Sequence, residues 1–112
     1  MTINSRAKGC RGELQWARRC TDEGFDARRG QQFSGSPDSP DVVCPDLDFM
    51  RFEVKHVERL NIYSAMQQAC DDAGDRMPVV AHKRNRHDWL VTMKAEDFFK
   101  LVREYKIDFN EE

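Results

Sequence analysis

What most narrows the folds open to this chain lies between residues 40 and 57, where two apolar runs flank a turn-forming tetrapeptide. Asp41-Val42-Val43-Cys44 reads as one extended segment and Phe49 to Val57 as a longer one, with Pro45-Asp46-Leu47-Asp48 turning between them. Pro40 has no amide hydrogen to give to a ladder and suits the start of the first strand. The two segments then form an antiparallel hairpin centred on residue 47, and positions equally far from that centre oppose one another. Asp41 faces Glu53, and Lys55, two residues on, projects from the same side of its strand. Directly opposed side chains bring their Cβ atoms to about 4.5–5.5 Å. Two carboxylates at that range repel unless a proton or a cation lies between them.

The rest of the chain supplies layers for such a hairpin. Residues 5–23 are amphipathic, with Cys10, Leu14, Ala17 and Thr21 on one side, and predict a helix stopped at Gly24. Glu13 sits at the edge of that stripe and can reach past the helix toward whatever it packs on. Phe25 to Arg29 reads as a short strand, and Gly30 to Ser39, rich in turn formers, as a loop long enough to be functional. Asn61 is placed to cap a second helix over Ile62 to Ala73, with Ile62, Ala65 or Met66, Ala69 and Ala73 buried, Gln67 beside that face, and Gly74 ending it. Pro78 to Ala81 and Trp89 to Met93 read as two further strands, joined by the basic turn Lys83-Arg84-Asn85-Arg86-His87. Ala95 to Tyr105 predicts a last helix with Phe98, Leu101, Val102 and Tyr105 inward. The order α-β-β-β-α-β-β-α predicts an α/β fold, a mixed central sheet flanked by helices.

At 112 residues the chain builds one compact domain rather than two, with its core at about 5–105. Its 34% charged residues fit a soluble globular protein, and no apolar run approaches the length of a membrane span. No secretory leader opens the sequence, so the expected location is cytoplasmic. The four cysteines, at 10, 20, 44 and 70, form no C-x-x-C pair and no zinc spacing, and read as free thiols. The net charge of −2 conceals segregation: residues 1–30 hold seven basic side chains against four acidic, and residues 76–94 five against one. Local anion-binding faces are therefore available on a mildly acidic protein.

Two opposed acids and a lysine suit a hard divalent cation, which takes few protein carboxylates and shares its other positions with water and phosphate oxygens. The chemistry this implies is metal-dependent phosphodiester hydrolysis. Glu13 on an opening helix, Pro40-Asp41 at a strand start, Glu53-Val54-Lys55 on the next strand and Gln67 on the following helix together resemble the PD-(D/E)XK nuclease superfamily. Within it the chain resembles the small Holliday-junction resolvases of archaea and related phage endonucleases. The resemblance implies a restriction-endonuclease-like core and a magnesium-dependent endodeoxyribonuclease, with manganese as a substitute. It implies that Asp41, Glu53 and the Val54 carbonyl ligate the metal, that Lys55 is the catalytic lysine, and that Glu13 completes the metal site. Gln67 takes a supporting role, because Tyr63 precedes it and the usual Gln-x-x-x-Tyr form is missing.

For DNA contact the resemblance points to Arg28 or Arg29 and to a serine of the following loop, Ser34, Ser36 or Ser39, while the double arginine leading into Gln31 and Gln32 itself offers donors to phosphates. It implies branched or four-way DNA as partner and a homodimer, since two symmetric cuts call for two sites related by a two-fold axis. Two other readings stand beside this one. One is a different phage DNA-processing or nicking nuclease of the superfamily; the other is a non-catalytic module that binds branched DNA. Lys83, Arg84 and Arg86 read as a solvated turn, His56, His82 and His87 as ordinary histidines, and Trp16 and Trp89 as core residues.

Overall fold

The computed structural model describes residues 5–30 and 41–110. Helix α1 (Ser5–Asp22) is followed by the short strands β1 (Arg28–Arg29) and β2 (Val42–Val43), one 3-10 turn at Pro45–Leu47, and strand β3 (Met50–His56). Then come α2 (Ile62–Ala73), β4 (Met77–Lys83), β5 (Leu90–Met93) and α3 (Ala95–Asn110). The five strands lie in one sheet in the order β1-β2-β3-β4-β5, antiparallel except for the parallel pair β3/β4 that α2 connects. This is the mixed sheet flanked by helices that the sequence predicts.

The hairpin closes as its composition requires. Val42 pairs with Phe52, positions equally far from residue 47. Helix ends follow the local chemistry too. Asn61 Oδ1 accepts the Ser64 amide at 3.1 Å, while Gly24 and Gly74 take positive φ (99° and 59°), which glycine adopts without strain.

One core lies between α1 and the sheet, built from Trp16, Ala17, Cys20, Val42, Phe52, Val54, Val79 and Ala81, and a smaller one between α2 and Val80. Trp16 stacks edge-on against Phe52, with ring centroids 5.4 Å apart, and lies 5.1 Å from Trp89. Helix α1 is rotated from the predicted stripe. Gly12, Trp16, Ala17 and Cys20 face the sheet, while Leu14 and Thr21 face solvent. The cause is the close approach of α1 to β3 at Gly12, where a methyl group would come within 2.8 Å of His56 Cβ. A helix seated on that glycine must also seat Trp16, one turn on.

Helix α3 departs further from expectation. Phe98 and Tyr105, predicted inward, are 51% and 68% exposed, and Leu101 and Val102 are half-buried. Among the described residues α3 barely touches the sheet; its first turn is tucked in, where Asp97 is buried. Periodicity showed which residues share a face of α3, but not how little of that face is covered among the described residues.

Candidate active site

Asp41 stands just before β2, level with Glu53 across the hairpin. Its backbone is fixed by the Gly30 amide, which donates to the Asp41 carbonyl at 2.9 Å, and its side chain accepts the Val54 amide at 3.0 Å. Because β2 is only two residues long, the carboxylate occupies the place where a ladder partner would otherwise meet β3. In an extended strand the amide and carbonyl of one residue lie on the same edge, so the Val54 carbonyl also faces Asp41.

Glu53 is 8% exposed and lies in register with Val80, whose side chain packs under α2. Neighbours in register share a face of a pleated sheet, so Glu53 and Lys55 project toward the α2 side. There Lys55 Nζ sits 3.4 Å from Glu53 Oε1. Burial raises the Glu53 carboxyl above its ordinary range; the negative charge of Asp41 adds to the rise and Lys55 opposes it. Asp41 is raised as well, again chiefly by burial, with the Val54 hydrogen bond and the charges of Lys55 and Arg51 working the other way.

Helix α1 delivers Glu13 from the opposite side of the sheet, one turn before Trp16. Arg29 Nε donates to Glu13 Oε2 at 2.6 Å, and Arg29 Nη2 donates to Cys10 Sγ at 2.9 Å. Burial raises the Glu13 carboxyl, Arg29 pulls it back, and the charge of Asp41 raises it further. Asp41 thus acts electrostatically on both Glu13 and Glu53 and links the two halves of the site.

Of the residues singled out from sequence, Glu13, Arg29, Asp41, Glu53, Val54 and Lys55 converge. Arg28, adjacent on β1, is exposed. Gln67 is exposed on α2 and donates to Asp71 of its own helix at 2.9 Å. The α2 residue whose charge reaches Asp41 and Glu53 is instead Asp72. Gln31, Gln32, Ser34, Ser36 and Ser39 lie outside the described residues. Cys10, Arg51 and Asp72 escaped the sequence reading. Two of them had a legible signal: Cys10 is one helical turn before Glu13, and Arg51 is two strand residues before Glu53, hence on its face.

The donor set is all oxygen, as a hard cation prefers. Two adjacent carboxylates, Glu53 buried and Asp41 half-buried, both raised by burial, form an environment that a divalent cation would relieve. Among the described residues no group of three or more histidine, cysteine, aspartate and glutamate side chains clusters to hold a metal. Glu13, expected as the completing ligand, is turned to Arg29.

No protein-family model matches the chain, and no curated protein matches it. Among solved structures it is similar to Hjc, a Holliday junction resolvase from the archaeal hyperthermophile Archaeoglobus fulgidus. The TM-score is 0.56 at 26% identity, over 77% of this chain and 72% of that one. The chain shares the fold of that resolvase. The likeness to PD-(D/E)XK resolvases, carried in the sequence by a few motif residues, therefore extends to the order and pairing of the strands that hold them.

Proposed function

We propose that the protein is a metal-dependent, structure-selective DNA endonuclease, a Holliday-junction resolvase that acts in the cytoplasm as a homodimer. The observation that carries this reading is the placement of Glu53 and Lys55, 3.4 Å apart on one face of β3, beside the half-buried carboxylate of Asp41 on a resolvase fold. Asp41, Glu53 and the Val54 carbonyl would hold magnesium, or manganese in its place. Bound there, the ion would lower the pKa of a coordinated water and offset charge building on phosphorus.

The side chains supply the rest. Lys55 Nζ carries three donors and no acceptor, so it orients a water lone pair or a non-bridging phosphate oxygen and stabilises the charge that develops there. Arg29 presents a planar guanidinium suited to two phosphate oxygens at once, and Glu13 holds it in place from behind. Arg28, exposed next to it, adds a contact to the same strand of DNA. The homodimer rests on the two-fold symmetry of paired cuts across a junction.

Incubation with magnesium and a synthetic four-way junction, a nicked duplex and a plain duplex tests the substrate. Cutting of the junction alone is expected; equal cutting of all three removes the resolvase claim. Glu53→Ala and Lys55→Ala should abolish cleavage while sparing binding. Junction binding without cutting in either magnesium or manganese would leave a branched-DNA-binding module instead.

A further inference from the structure

Beyond the site, the basic turn between β4 and β5 borders a cleft of about 600 Å³. Its rim carries Arg59, Lys83, Arg84 and His87, and Leu60 and Ile62 contribute to an apolar floor. The turn is held in shape from within. Arg84 Nη2 donates to His87 Nε2 at 3.4 Å, His87 Nδ1 donates to the Asn85 carbonyl at 2.9 Å, and Arg86 takes φ 63°. Lys83 Nζ lies 5.8 Å from the centroid of a Trp89 ring. Among the described residues Arg59, Lys83, Arg84 and Arg86 enter no ion pair, although Glu58 and Asp88 line the same cleft. Positive charge gathered on a preformed turn and held in no ion pair among the described residues is suited to an external anion.

The position of the cleft relates it to the catalytic strand. It lies at the C-terminal ends of the parallel strands β3 and β4, the end of an open α/β sheet where ligands gather, and beside the start of α2, whose amide dipoles favour an anion. His82 of the cleft is in register with Lys55, and therefore on the face that carries Glu53 and Lys55. The ring of His56, the residue after Lys55, is hydrogen-bonded to Asn85 Oδ1 at 2.9 Å and so ties the turn to β3. Val57, at the cleft's edge, is four strand residues from Glu53, about 13 Å at ~3.3 Å per residue. That span is well within one turn of duplex, ~34 Å.

We infer that this cleft is a second phosphate-binding site, in which Arg59 and Arg84 grip the DNA backbone away from the scissile bond. The inference rests on the proposed nuclease reading and extends its footprint across the sheet end. The phosphate contacts fix the register of the strand on Asp41 and Glu53 without reading its sequence.

The test uses the full chain carrying Glu53→Gln, so that binding is read without cutting, and a fluorescein-labelled four-way junction followed by anisotropy from about 50 to 200 mM salt. Adding Arg59→Ala and Arg84→Ala together should weaken binding about tenfold or more and reduce the slope of log K against log salt by about 2, near 1 per lost contact. Arg84→Lys should keep most of the affinity, since a point charge still meets the phosphate. Arg103→Ala, a cation lost from α3, should leave affinity and slope unchanged. Thermal melting of each variant confirms that the fold is intact. Unaltered affinity and slope in the double variant would overturn the second site while leaving the nuclease reading in place. Wild-type protein that neither binds nor cuts the junction would remove both.

Discussion

The surroundings of Glu53 disfavour its ionised form. Burial and the neighbouring charge of Asp41 raise its carboxyl above the ordinary value of 4.5, and the Lys55 ammonium offsets only part of that. A carboxyl whose folded pKa is raised binds protons more readily in the native state than in the unfolded one. It therefore lowers stability at neutral pH, and the deficit shrinks as the pH falls through the raised value. Glu53→Gln should abolish cleavage yet raise the melting temperature of metal-free protein at neutral pH by a few degrees, with about 1 kcal/mol moving a domain of this size ~4–8 °C. The gain should fade in acid, which calorimetry across pH would show; a melting temperature lowered at every pH would mean that the Lys55 pairing outweighs desolvation. His82 works in the opposite sense. Its ring bonds Thr92 at 2.9 Å, and burial lowers its pKa from 6.5 by disfavouring the imidazolium. Its contribution is complete above 6.5 and is lost as the pH falls below that value, until the folded group itself protonates. Subtracting melts of His82→Gln from those of wild type over about pH 5 to 8 should isolate this loss.

Among the elements, α1 decides whether Glu13 meets Arg29, and its seat is a glycine. A methyl group at Gly12 would meet His56 Cβ at 2.8 Å, an atom that cannot swing aside without moving β3 or the helix. Gly9, three residues earlier, has nothing within 4 Å of the same construction. Replacing a helical glycine by alanine gains about 0.5–1 kcal/mol from backbone entropy, whereas overpacking a tight contact costs about 1–3 kcal/mol. Gly9→Ala should therefore stabilise, and Gly12→Ala should destabilise and also slow cleavage by displacing Glu13 from Arg29 and Asp41; urea melts and junction assays of the pair separate the two effects. The same elements show what the sequence could express. The hairpin register was legible because turn residues and flanking apolar runs define a centre, and Val42 opposite Phe52 follows from it. Asp41, Glu53 and Lys55 were legible for that reason. The rotation of α1 was not, because Cys10, Leu14, Ala17 and Thr21 form as good an apolar stripe as Trp16, Ala17 and Cys20. Only the close approach at Gly12 selects between them, and that contact joins residues 44 apart in sequence.

For the molecule as a whole, the question left by the described residues is what packs along Phe98, Leu101 and Val102 of α3. A helix of 16 residues with sparse support among the described residues is marginal in water. Its apolar residues Phe98, Leu101, Val102 and Tyr105 are spaced symmetrically about the middle of the stripe. A second copy running antiparallel brings Phe98 level with the other chain's Tyr105 and Leu101 level with its Val102, the self-complementarity that a two-fold interface requires. The symmetric cutting proposed above calls for such an arrangement, and α3 is the element that offers it. Sedimentation equilibrium should give twice the chain mass of 13.1 kDa for wild type, and Phe98→Glu should give a single chain with its far-ultraviolet circular dichroism unchanged outside the loss of α3. Because each protomer retains Asp41, Glu53 and Lys55, the separated variant should nick junctions one strand at a time instead of releasing paired cuts. A Phe98→Glu protein that remains a dimer and still cuts in pairs would place the two-fold axis elsewhere on the surface.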